Sequence, residues 1–100
     1  MTMSYGFHAT LTAQPGNGSR LVDFLLEVRS SSDECVVFLV GRSAGNPDIV
    51  YVTEGWTTRE AHDRLAATEE AQDVMARLQA LLAKEPEYID EVPIGGKAAL

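Results

Sequence analysis

The sequence predicts an α+β domain in which a four-stranded antiparallel sheet carries its helices on one face. Three observations lead there. Apolar residues recur with a period of two or of 3.6 along the chain, in the order β-α-β-β-α-α-β. The link between the second and third strands is short enough for a hairpin. A right-handed crossover from the first strand to the second then leaves a gap that the third strand fills. The outcome is the ferredoxin-like arrangement.

Residues 4–13, SYGFHATLTA, put Tyr5, Phe7, Ala9 and Leu11 on one face and Gly6, His8, Thr10 and Thr12 on the other, as a half-buried strand does. Gln14-Pro15-Gly16-Asn17-Gly18 ends it. Asn17 or Ser19 can cap the next helix, where Leu21, Phe24, Leu25 and Val28 fall at i, i+3, i+4 and i+7. Ser30-Ser31-Ser32-Asp33, polar and poor in helix preference, stops that helix. Residues 35–42, CVVFLVGR, are almost continuously apolar, which predicts a strand buried on both faces. The loop Ser43 to Asp48 turns into a third strand, Ile49 to Trp56.

Thr57 and Glu60 have the spacing of a capping box for a short helix that runs to about Thr68. Glu69 and Glu70 suit the positive end of a further helix. Its Ala71, Val74, Met75, Leu78 and Leu82 form one apolar stripe, read as core. Residues 88–94, YIDEVPI, make a last strand, which Pro93 and the acidic residues assign to an edge. The tail Gly95 to Leu100 is expected to be flexible unless a partner holds it.

Residues 1–100 are read as a single domain, with 45% hydrophobic content to build its core. Fifteen acidic residues against eight basic ones give a net charge of −7, and the basic residues form no run. A duplex or an anionic membrane repels such a chain, so neither nucleic acid nor lipid is expected as a partner. The lone Cys35 excludes an internal disulfide framework and a multi-thiolate zinc site, and is most simply a small core residue. No stretch approaches a membrane span and the N-terminus lacks signal-peptide character, so a cytoplasmic location is expected.

Four side chains stand out as chemistry-bearing. Trp56, the only tryptophan, shares a strand face with Glu54, two positions away. It either seals the strand-to-helix junction or stacks on a planar ligand, and the two roles are compatible. Glu54 on an apolar strand acts as a proton acceptor with a raised pKa if it is buried alone, or pairs with Arg42 across the hairpin. His62, near the start of the short helix, can take a phenolic proton near neutral pH, or can simply be solvated. His8 is a base or hydrogen-bond donor if its face lines a cavity, and an interface or surface residue otherwise. Two histidines without a His-x-x-x-His or paired-cysteine spacing argue against a metal site.

Ala13-Gln14-Pro15-Gly16, the apolar strand Cys35–Val40, Glu54-Gly55-Trp56 and Thr57-Thr58-Arg59-Glu60-Ala61 occur here in one order along nearly the whole chain. In that order the sequence resembles the antibiotic biosynthesis monooxygenase domain family of the dimeric α+β barrel superfamily. The resemblance implies a homodimer whose sheet faces and last strands pack into a barrel. It also implies an oxygenase without cofactors, in which a quinol or polyphenolic substrate reacts as its anion directly with O2. Trp56 and Phe38 would then form the pocket, with His62 or His8 as base and Glu54 or Arg42 orienting the substrate or the histidine. Many members carry their helix histidine three residues later, where this chain has Leu65. Two alternatives stay open at this point: a non-catalytic dimeric domain that binds an aromatic ligand, and a haem-degrading relative.

Overall fold

The computed structural model describes residues 2–28 and 32–97. Its elements are β1 (Tyr5–Thr12), α1 (Gly18–Glu27), β2 (Cys35–Arg42), β3 (Ile49–Trp56), α2 (Arg59–Ala66), α3 (Glu69–Leu81) and β4 (Glu87–Glu91). The sheet order is β2-β3-β1-β4, with every neighbouring pair antiparallel. β3 therefore fills the gap left by the crossover from β1 to β2, and the fold is the expected α+β, ferredoxin-like one.

Register decides which side chains meet. Tyr5 pairs with Trp56, Phe7 with Glu54, Ala9 with Val52 and Leu11 with Val50. Phe38 of β2 stands opposite Glu54, and Tyr88 of β4 opposite Ala9. Side chains alternate across a strand, so all of these share one face, the face that the helices cover. Leu21, Phe24 and Leu25 of α1 and Leu78 of α3 are buried in the core with the β1 and β3 residues. The other face carries His8, Leu39, Tyr51, Thr53, Ile89 and Glu91, and no helix among the described residues lies over it.

Several local expectations need correction. Within one chain β2 is an edge strand whose residues are mostly half-buried, with Leu39 exposed, so the burial expected on both of its faces is not met by this chain alone. A bulge between Cys35 and Val37 lets it keep register with β3. The cap of α2 is Thr58, not Thr57: its hydroxyl accepts the Ala61 N–H at 3.0 Å. Thr57 is engaged elsewhere, its own N–H donating to the Glu34 carbonyl at 2.9 Å and so holding the end of β3. β4 ends at Glu91, two residues short of Pro93, which has no N–H to offer a ladder. Ser30 and Ser31 of the expected helix stop, and residues 98–100 of the tail, lie outside the described residues. Gly95 to Lys97 are exposed and belong to no strand or helix.

Candidate functional site

A cavity of about 590 Å³ lies between the covered sheet face and the α2–α3 pair. That volume is within the roughly 300–1,000 Å³ typical of small-molecule sites. Tyr5, Phe7, Val52, Glu54 and Trp56 come from the central strands, Phe38 and Tyr88 from the edges. His62 and Leu65 of α2, and Val74, Met75 and Leu78 of α3, close the other side. The α3 stripe is thus only partly core: Leu78 is buried, while Met75 is 38% exposed and faces the cavity.

The junction from β3 to α2 organises the polar groups. Trp56 is 1% exposed, and its indole N–H donates to the Glu54 carboxylate at 2.8 Å. Two-residue spacing on one strand face makes that bond possible. Burial pushes the Glu54 carboxyl above its usual range, while the Trp56 hydrogen bond and the charge of His62 pull the other way. Next comes the Thr58 cap, which sets the first turn of α2 and with it the direction of His62. The imidazole stands among three aromatic rings, with centroids 5.3 Å from Tyr5, 5.6 Å from Phe7 and 5.4 Å from Trp56. Its Nδ1 lies 3.0 Å from the Asp63 carboxylate. With the proton on Nδ1 held by Asp63, Nε2 keeps a free lone pair.

At another side of the cavity the Tyr5 hydroxyl donates to Asp90 at 3.0 Å. Arg59 stands over the Tyr5 ring at 5.1 Å and pairs with Asp90 at 3.5 Å. Burial first, then the bond to Asp90, pushes the Tyr5 phenol upward. Tyr88 meets Phe7 edge-on at 5.7 Å, and burial followed by the Glu54 charge raises its phenol as well.

Four of the residues singled out from the sequence, Phe38, Glu54, Trp56 and His62, therefore line one cavity. The other two do not. His8 points from the opposite face of the sheet, with Nε2 2.8 Å from Glu91 and Nδ1 3.1 Å from Thr53. Arg42 sits at the far end of β2, opposite Val50 rather than Glu54. Its guanidinium donates to the Pro47 carbonyl at 2.7 Å and to Ser19 at 3.1 Å, so it ties the hairpin loop to α1. Tyr5, Tyr88 and Asp90 were not anticipated. Strand alternation puts Tyr88 and Asp90 on one face, but only the β1–β4 pairing brings that face to the cavity. Cys35 packs against the core, and burial pushes its thiol up to about 11. Among the described residues no three His, Cys, Asp or Glu side chains converge as metal ligands.

The sequence profile of the antibiotic biosynthesis monooxygenase family matches residues 4–77. The chain belongs to that family. A structure from Chloroflexus aurantiacus, described as a candidate antibiotic biosynthesis monooxygenase, is 31% identical. It superposes with a TM-score of 0.83 over 94% of this chain and 96% of the other. A candidate antibiotic biosynthesis monooxygenase from Deinococcus radiodurans, 20% identical, gives a TM-score of 0.77 over 96% of each chain. A similarly described protein from Caulobacter crescentus, 18% identical, gives 0.77 over 93% of this chain and 92% of the other. The last two likenesses speak for the fold alone. No match to a functionally curated protein is found.

Proposed function

We propose that this chain is a monooxygenase that joins O2 to a hydroxyaromatic substrate of the quinol or polyphenol type, without metal, flavin or haem. The observation that carries the proposal is the meeting of Glu54 and His62 in a cavity walled by Trp56, Phe7, Phe38 and Tyr88. Aromatic walls hold a planar ring by stacking and edge contacts. A desolvated carboxylate and an imidazole oriented by its neighbour are two groups able to take the phenolic proton. The resulting anion is rich enough in electrons to reduce O2. One oxygen atom bonds to the ring carbon, and the second leaves as water once the carbonyl forms. The substrate supplies all the electrons, so a phenol and O2 give a quinone and water. Tyr88, which lines the cavity, is the donor for the developing oxyanion, since the Tyr5 O–H is already given to Asp90.

Oxygen-electrode assays with reduced naphthoquinols and anthrones test this reading. Glu54→Gln and His62→Ala are each expected to slow uptake by on the order of 10²–10⁴, while His8→Ala leaves it unchanged. Wild-type uptake no faster than in buffer, over the whole panel, overturns the proposal.

We further propose that the chain works in the cytoplasm as a homodimer, joined through the open sheet face and the last strand. Leu39, Tyr51 and Ile89 are exposed on or beside that face, and Val92 and Ile94 follow β4 at 71% and 94% exposure. Apolar surface of that extent favours self-association. Light scattering should give twice the 10.9 kDa of the chain, and a monomer mass at micromolar concentration would refute the dimer. No described helix is long and apolar enough to cross a membrane.

A further inference from the structure

We infer that the cavity takes hydroxyaromatics that carry no negative charge and rejects carboxylated congeners of the same shape. The inference rests on reading the cavity as the substrate site. Its lining holds three carboxylates, Glu54, Glu70 and Asp90, and no lysine or arginine among the described residues. His62 is the one lining side chain that can become cationic. The three carboxylates are not equivalent. Asp90 is offset by Arg59 at 3.5 Å and occupied by the Tyr5 hydroxyl at 3.0 Å. Glu54 and Glu70 take part in none of the ion pairs among the described residues. The partner that Glu54 does have, the Trp56 N–H, is uncharged. Glu70 stands exposed in the first turn of α3, on the cavity rim.

A ligand carboxylate entering this space comes up against Glu54 in surroundings that screen poorly, and it must first pass Glu70. Like charges a few ångströms apart in a partly desolvated site cost far more than they do in water. The whole chain, at −7, adds a weaker repulsion at longer range. An uncharged phenol meets no such barrier. When its proton moves to Glu54, the charge passes from protein to substrate and the cavity gains none. A carboxylate elsewhere on the ring would add a second negative charge at that moment. The lining thus discriminates by charge where its apolar walls would accept any planar ring.

Trp56 is the only tryptophan, so its fluorescence reports binding without turnover. The probes are 1,8-dihydroxyanthraquinones bearing either a carboxylate or a primary carboxamide at position 3. At pH 8 the amide should bind at least about tenfold more tightly than the carboxylate. Glu54→Gln should bring the ratio toward one. Glu70→Lys, on the exposed rim, should narrow it independently and keep the test usable if the Glu54 variant folds poorly. Equal affinities in the wild type, quenching by neither probe, or a ratio that both variants leave unchanged each overturns the inference. Oxygen uptake with the matching anthrones separates the two readings. Discrimination in binding without uptake on either anthrone refutes the oxygenase and leaves charge selection standing. Uptake on both anthrones with equal kcat/KM refutes charge selection and leaves the oxygenase standing.

Discussion

The two faces of the sheet are made from alternate residues of the same strands, and each carries a histidine beside a carboxylate. On the covered face His62 lies 3.0 Å from Asp63, within three aromatic rings, with its side chain 25% exposed. On the open face His8 lies 2.8 Å from Glu91 with its side chain 51% exposed and, among the described residues, no ring against it. The local pairings look alike, but the surroundings do not. An exposed ion pair is screened by water and contributes little, whereas an enclosed imidazole can act on a ligand that displaces water. Enclosure, not residue type, separates the candidate base from the surface residue.

That contrast can be broken most directly by truncating one large ring on each face. Trp56→Ala should cost about 3–5 kcal/mol of stability, since the side chain is almost wholly buried. Tyr51→Ala, on the open face, should stay within about 0.5 kcal/mol in the dissociated chain and cost more once the proposed dimer covers that face. Urea unfolding followed by circular dichroism gives both values. A Tyr51 loss as large as the Trp56 loss under conditions where light scattering gives a monomer would collapse the contrast.

A smaller effect tests how the covered face is presented. Thr58→Ala removes the acceptor for the Ala61 N–H and should cost about 1 kcal/mol, with a smaller loss for Thr57→Ala. If the order were reversed, the cap would sit where the sequence spacing first suggested.

The smallest effect is one of sign. Burial raises the Glu54 carboxyl, so the folded chain holds its proton more readily than the unfolded chain does. The corresponding stabilisation is complete below the ordinary carboxylate range and is lost as pH rises through the raised value. Glu54→Gln cannot ionise and its amide oxygen still accepts the Trp56 N–H. It should therefore melt above the wild type at pH 8, with the gap closing below about pH 4. A variant that melts lower at pH 8 would show that the carboxylate is stabilised by something other than the indole.

How far the sequence foretold this depends on the range of each interaction. Two-residue alternation in Ile49–Trp56 was enough to set Glu54 and Trp56 on one face, and the β-α-β-β-α-α-β order followed from local periodicity. Phe38 joined them because a hairpin register is nearly fixed by a short loop. Which face of β1 is enclosed is a tertiary property, and that is why His8 stayed ambiguous. Pairing of Glu54 with Arg42 is one of the two readings the hairpin permits, yet the register sets them four residues apart, with Arg42 at Val50 and Phe38 at Glu54. Tyr5 and Asp90 meet across 85 positions of chain, beyond the reach of any local pattern. Thr57 and Thr58 are equally good caps by composition, and only the contacts of Thr57 with Glu34, its N–H to the carbonyl and its hydroxyl to the carboxylate, separate them.

The edge position of β2 has a consequence for the handling of this chain. Every residue from Cys35 to Gly41 is uncharged, whereas the opposite edge, β4, carries Glu87, Asp90 and Glu91. Strand edges with free ladder groups and no charge invite addition of further strands, and charged edges resist it. The hazard of aggregation is therefore concentrated on one border of the sheet. Chains that open locally there expose a β-prone, proline-free segment of the kind that nucleates cross-β stacking, while the acidic border resists open-ended strand addition.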